Sequence, residues 1–323
     1  MNLRLVADYL VYVAVRLTIC IVQAIPMDRC AQGAQFLAWL ISDVLKVRGE
    51  LLDSNLRHAF PEMTAAERKK LARRNWRHLL LMVCEIAHAP RKIHDTNWRD
   101  YVDLQNVSNQ IGYMLSERPV VILLGHFGNF ELMGYCAGLM GFPTYTVARP
   151  LDNKFLHDFV QRFRGATGQF ILPKQGSAPA IEKLMDAGGT LGLLCDQNAG
   201  PKGCWVDFMG RPASCHKAIS LFSMASGAPL VVTHFRRTDR PMQFEMGIDS
   251  TDAIYDPLQA ETKLGVKELA SWYNEQLEKM IRRNPEQYWW IHNRWRDDRP
   301  PKKAKKTAAA PDAAESDAPR RAA

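Results

Sequence analysis

The stretch Arg118-Pro-Val-Val-Ile-Leu-Leu-Gly-His-Phe-Gly-Asn-Phe-Glu131 changes texture abruptly in its middle. Residues 120–124 are an unbroken apolar run after a proline, the pattern of a strand buried on both faces. Gly125 and His126 close that strand. Asn129 is a good N-cap, and a helix is predicted over 129–140, with Gly141 at its end and Pro143 just beyond. A buried strand that turns through glycines into a helix is the repeating unit of an open α/β fold, where ligands collect at the carboxyl ends of the strands.

The alternation repeats downstream. Strands are predicted over 144–148, 190–195, 230–235 and 243–248, and helices over 178–187, 217–225 and 262–283. Upstream, Thr64-Ala-Ala-Glu67 is a capping-box pattern that opens a long helix toward His88. That helix begins strongly basic and ends apolar. Its cations between Arg68 and Arg77 form either a solvated face or a surface for an acidic partner. These elements predict an α/β fold with a mainly parallel sheet flanked by helices.

Both ends of the chain stand apart. Residues 5–26 (LVADYLVYVAVRLTICIVQAIP) are long and apolar enough for a membrane helix. Arg4, Asp8, Arg16 and Gln23 fall within about 120° of one another on a helical wheel, leaving the rest apolar. A cleaved signal peptide is disfavoured by the internal charges, whereas a buried amphipathic helix remains open. A membrane helix, spanning or interfacial with its polar stripe toward protein or headgroups, is the preferred reading. After Pro301 the chain is low-complexity and Ala-rich, and is predicted to be disordered. Three segments result: a membrane-anchoring helix over 1–26, a folded domain over 27–300, and a tail over 301–323.

The 323 residues, 47% hydrophobic and 24% charged, suffice for one large domain with an ordinary core. The net charge is +8, of which the tail carries +3. The remainder suits anionic lipid surfaces or phosphorylated substrates, while a nucleic-acid reader needs a stronger basic face. Seven cysteines without CxxC spacing read as buried free thiols. No GxSxG elbow, P-loop or Cys/His cluster is present, so serine hydrolysis, nucleotide-driven chemistry and metal binding find no support.

His126 and Glu131 carry the chemistry. Five residues apart on one helix they would face about 140° away from each other, but a strand–turn–helix junction removes that obstacle. Glu131 can then hold one imidazole nitrogen while the other takes a proton from a hydroxyl, which becomes the nucleophile. Spacing alone equally allows His126 to cap the strand and Glu131 the helix.

Gly125-His-Phe-Gly-Asn-Phe-Glu131 resembles the H-x4-D/E motif of glycerolipid and lysophospholipid acyltransferases. Over nearly the whole chain up to Pro301, the sequence is similar to the lipid A biosynthesis acyltransferase family. The resemblance runs through Asn55-Leu-Arg-His-Ala-Phe-Pro61, Ala148-Arg149-Pro150, Asp152-Asn153, Arg164 with Gly168 and Leu194-Cys-Asp196-Gln197. It continues through Val206-Asp-Phe-Met-Gly210, Gly227-Ala-Pro229 and Tyr288-Trp-Trp-Ile-His292-x-Arg294-Trp295. Phe208-Met209 and Arg211 to His216 depart from the family's commonest form, with possible consequences for acyl or acceptor preference.

The resemblance implies a glycerolipid-acyltransferase-like sandwich and a membrane-associated O-acyltransferase without cofactor. His126 is implied as the base and Glu131 as its orienting partner. Arg149 and Arg164 are implied to meet substrate phosphates, and Asp196 with Gln197 to line the cleft. The donor is expected to be acyl carrier protein or acyl-coenzyme A, and the acceptor a lipid A precursor or related glycolipid. The expected location is the cytoplasmic side of the bacterial inner membrane. Two rival readings remain: acylation of another lipid, such as a lysophospholipid or aminolipid, and a non-catalytic lipid-holding module.

Overall fold

The computed structural model describes residues 3–296. The tail predicted over 301–323 lies outside the described residues. The N-terminal part is helical: α1 (Leu3–Ala24), α2 (Met27–Trp39) continued by a π-helical turn (Leu40–Val44), α3 (Gly49–Ala59) and α4 (Ala65–Lys92). The capping box at the start of α4 is formed, with Thr64 accepting from the Glu67 amide and Glu67 accepting from the Thr64 amide.

The remainder alternates. In chain order come β1 (Val102–Gln105), α5 (Ser108–Met114), β2 (Val120–Leu124), α6 (Phe130–Leu139), β3 (Thr144–Ala148), α7 (Lys154–Gly165) and β4 (Gln169–Pro173). There follow α8 (Ala178–Asp186), β5 (Thr190–Leu194), the hairpin β6 (Cys204–Phe208) and β7 (Arg211–Cys215), and α9 (Lys217–Ser226). The last elements are β8 (Leu230–Val232), β9 (His234–Arg237), β10 (Phe244–Gly247), β11 (Ile254–Tyr255) and α10 (Val266–Arg283).

The central sheet has the order β11-β8-β2-β5-β3-β4, and every pairing is parallel except that of β11 with β8. β2, β5 and β8 are its most buried strands, as their apolar runs require. The single strand expected over 230–235 is in fact two. Thr233 interrupts it: its amide still donates to Leu123 O, while its hydroxyl turns to Gly247 O. β8 therefore stays in the central sheet and β9 leaves to pair with β10 in a three-stranded sheet, β1-β10-β9. Leu230-Val-Val-Thr-His-Phe235 does not signal such a change of sheet, because both halves are buried.

α1 lies along the rest of the molecule, packed on α4 and α7. Among the described residues it is the helix long and apolar enough to cross a membrane by length and composition, and none of it is buried. Part of its polar stripe meets protein. Gln23 donates to Ala87 O, Asp8 O accepts from Asn153, and the Arg16 guanidinium sits 5.0 Å from the Phe159 ring centre. Leu3, Leu10, Leu17 and Ile21 are left outward. All seven cysteines are free thiols; Cys20 is exposed and Cys84 half-buried, the other five buried as expected.

Candidate active site

The site follows from strand register. β2 and β5 pair in parallel with Leu124 opposite Leu194, and the Cys195 amide continues the ladder to Leu124 O. Two residues beyond each strand end stand His126 and Asp196, brought side by side by that register. His126 Nδ1 lies 2.7 Å from Asp196 Oδ1, and the His126 amide donates to Oδ2 at 2.8 Å. A carboxylate only accepts, so the imidazole proton sits on Nδ1 and Nε2 keeps its lone pair.

The turn after His126 has little freedom. Gly128 is left-handed (φ +64°), and a Cβ there would fall 2.1 Å from Phe235 O. The Asn129 amide donates to that same carbonyl, and the Asn129 side chain caps α6 through the Leu132 amide, as its sequence position predicted. A buried ion pair supports this loop from below: Arg237 binds Glu85, Glu85 accepts from Asn129, and His78 lies beside both Arg237 and Gly128 O.

Burial opposes charge on His126, but the adjacent Asp196 carboxylate outweighs it and, with a smaller push from Glu131, raises the imidazole pKa. Burial likewise opposes charge on Asp196, yet the His126 charge and hydrogen bonds prevail and hold it down to about 2. Burial pushes the pKa of the Tyr288 hydroxyl well up beside Asp196. The carboxylate is thus only 1% exposed and fully engaged.

The structure places Glu131 against Arg164 and not against the His126 imidazole. Glu131 occupies the first turn of α6, where it receives both arms of Arg164 from α7 at 2.6 and 3.1 Å. The parallel register has already filled the Nδ1 position with Asp196, and the turn at Gly128 carries Glu131 away toward α7. Asp196 lies beneath His126 as its hydrogen-bond partner. Gln197 does line the cleft, its amide 3.5 Å from His126 Nε2. Arg149, at the end of β3, is exposed and meets only Asp152 at 3.3 Å, so the structure does not bring it to His126. On α4, Arg68, Lys69, Arg73 and Arg74 pair with Asp53, Asp43 and Glu286, while among the described residues Lys70 and Arg77 have no such ion pair.

Two spaces lie near the dyad, and His126 lines one of them. A cleft of about 420 Å³ opens on Nε2, walled by Arg48, Gln197, Trp289, Ile291 and His292. Trp289 stands edge-on to the His126 ring at 4.9 Å and stacks on Phe130, while Trp290 and Trp295 are core. His292 is kept neutral, chiefly by burial. An apolar crevice runs from Glu131 and Arg164 between α6 and the sheet, past Met133, Gly134, Thr146 and Gly192. Phe208 lies in the core against Trp295, away from both spaces. Sequence reasoning quoted Tyr288, Trp289 and His292 within a motif without a catalytic role, and nothing local marked Arg48.

A buried His–Asp pair thus stands at parallel strand ends, with the second imidazole nitrogen facing a cleft and an apolar crevice nearby. Residues 2–297 match the family model described as bacterial lipid A biosynthesis acyltransferase. The lipid A biosynthesis palmitoleoyltransferase of Escherichia coli (strain K12) is 26% identical over 261 residues, covering 78% of this chain and 80% of that protein. The lipid A biosynthesis lauroyltransferase of the same organism is 24% identical over 259 residues, with the same coverage. Among solved structures, the 1-acyl-sn-glycerophosphate (LPA) acyltransferase from Thermotoga maritima aligns with a TM-score of 0.36 and 12% identity, covering 80% of this chain and 97% of that one. The chain belongs to the bacterial lipid A biosynthesis acyltransferase family and is an enzyme that transfers acyl groups to lipid.

Proposed function

We propose that this enzyme esterifies a hydroxyl of a lipid A precursor or closely related glycolipid with a fatty acyl group drawn from a thioester. His126 Nε2 takes the proton of the acceptor hydroxyl, and that oxygen attacks the thioester carbonyl carbon. The tetrahedral intermediate expels the thiolate as the C–S bond breaks, and the imidazolium returns its proton to sulfur. The products are an ester and a free thiol, and no protein side chain is acylated. Asp196 holds the required tautomer and stabilises the imidazolium that forms. The observation that carries this reading is the 2.7 Å Nδ1–Asp196 contact, which leaves Nε2 facing the cleft.

The acyl chain is assigned to the crevice under α6, with Glu131 and Arg164 at its mouth and Gln169 among its lining residues. Acyl carrier protein or acyl-coenzyme A is the donor. The catalytic domain over 27–300 works at the cytoplasmic face of the inner membrane, held there by residues 1–26. Because α1 is tied to the domain near both its ends, at Asp8 and Gln23, it lies along the bilayer interface rather than projecting from the domain. Exposed Phe36, Trp39 and Leu45 on the following segment extend that apolar surface.

The test is acyl transfer by the detergent-purified full chain, supplied with radiolabelled acyl donors and a panel of acceptors. Transfer to a lipid A precursor that collapses in His126→Ala is the expected result. Transfer to lysophospholipid alone would discard the acceptor, and an active His126→Ala enzyme would discard the mechanism.

A further inference from the structure

Lys46, Val47 and Arg48 join the π-helical turn to α3, and both cations of this turn have left-handed backbone, φ +50° and +52°. Side chains larger than glycine rarely adopt that conformation, and its clustering beside a cleft signals a functional constraint. Backbone bonds hold it: the Val47 amide donates to Ile41 O and the Gly49 amide to Lys46 O. The result places Arg48 on the wall of the cleft that contains His126 and Gln197.

One arm of Arg48 is fixed, Nη1 donating to Ile291 O at 2.7 Å. A guanidinium carries five N–H donors, and no carboxylate pairs with Arg48 among the described residues. The same residue, with Lys46, also lines a larger groove of about 850 Å³ between the turn and α4. The other cations of that groove, Arg68 and Lys69, are paired with Asp53 and Asp43. Glu50 lines the groove but not the cleft. Among the described residues, positive charge without a carboxylate partner therefore lies at Arg48, which lines both the groove and the cleft. The arginines expected to meet phosphate differ: Arg164 is committed to Glu131, and Arg149 stands apart beside Asp152.

We propose that Arg48, assisted by Lys46, binds a phosphate ester of the substrate at the junction of the groove and the His126 cleft. The proposal rests on the acyl-transfer reading above and names a subsite for it. A guanidinium already oriented by one backbone carbonyl presents its remaining N–H groups as a fork that matches two phosphate oxygens. The phosphate belongs either to the lipid acceptor or to the phosphopantetheine arm of the donor, since both must approach His126.

Equilibrium binding to the full chain in detergent separates these sources. Four probes are titrated: a phosphorylated lipid A precursor, its dephosphorylated counterpart, a lauroyl thioether of 4′-phosphopantetheine, and the same thioether of pantetheine. Wild type is expected to bind one phosphorylated probe at least about tenfold more tightly than its phosphate-free partner. Arg48→Gln, which keeps an N–H for Ile291 O but lacks the charge, should abolish that preference, and Arg48→Lys should retain part of it. The pair that responds identifies the phosphate. Preference unchanged in Arg48→Gln, or absent from wild type in both pairs, overturns the subsite. Turnover is read on the same samples. Wild type that shows the phosphate preference, loses it in Arg48→Gln and transfers no acyl group supports the subsite while overturning the acyl-transfer reading.

Discussion

Two side-chain pairs, His126–Asp196 and Arg164–Glu131, flank the turn at Gly128, and they differ in what surrounds them. His126–Asp196 is closed off, with side chains 9% and 1% exposed, whereas Arg164–Glu131 is 20% and 25% exposed at the mouth of the crevice. In the buried pair desolvation opposes charge on both groups, yet each partner's charge and hydrogen bonds together prevail over it. The half-exposed pair is screened, and it joins α6 to α7, a helix without a buried residue. The first is built to handle a proton, and the second to hold two elements together beside the acyl crevice.

Removing the buried carboxylate charge breaks this comparison most severely. Asp196→Asn should reduce kcat by about a thousandfold, because the imidazole loses both its tautomer lock and its counter-charge. Steady-state kinetics at saturating donor would check this, and a loss under tenfold would place orientation elsewhere. Gly128→Ala sharpens the structural side. Its Cβ would strike Phe235 O in a left-handed turn, and a loss of about 3 kcal/mol in chemical denaturation is expected.

Glu131→Gln should act mainly through the crevice mouth. It weakens the bond to Arg164, so a change in KM or acyl preference of about tenfold is expected. Glu131 is the least of the influences raising the His126 pKa, so the acid limb of the rate profile should move less than in Asp196→Asn. A larger shift in Glu131→Gln would restore Glu131 as the orienting group. Arg149→Ala should change kcat/KM less than about twofold, since it removes only an exposed contact to Asp152. Stability should respond to pH as well. Asp196, held to about 2 against an ordinary 3.8, contributes stability present above pH 3.8 and lost as pH falls toward 2. His126, raised above 6.5, contributes stability that is present below 6.5 and lost as pH rises through its folded value.

Local pattern made the strand–turn–helix around His126 legible in sequence. The apolar run, the Gly128 turn and the Asn129 cap all act within a dozen residues and are found where the sequence put them, whereas Gly125 does not take up a left-handed backbone. The capping box on α4 was legible for the same reason. Asp196 as the partner of His126 was not, because seventy residues separate them and only the β2–β5 register brings them together. Glu131 looked closer in sequence but leaves on the other side of a left-handed turn. Arg48 was invisible for a further reason: its place depends on a backbone conformation that its residue type does not advertise.

The central claim is that Asp196 governs His126, and the pH dependence of kcat/KM in wild type and Asp196→Asn tests it most directly. Only the neutral imidazole accepts the hydroxyl proton, so wild-type activity should rise with pH through an apparent pKa above 6.5. In Asp196→Asn burial acts without the carboxylate, and the limb should move to lower pH while the plateau falls. An acid limb in the same place in both enzymes would contradict the account.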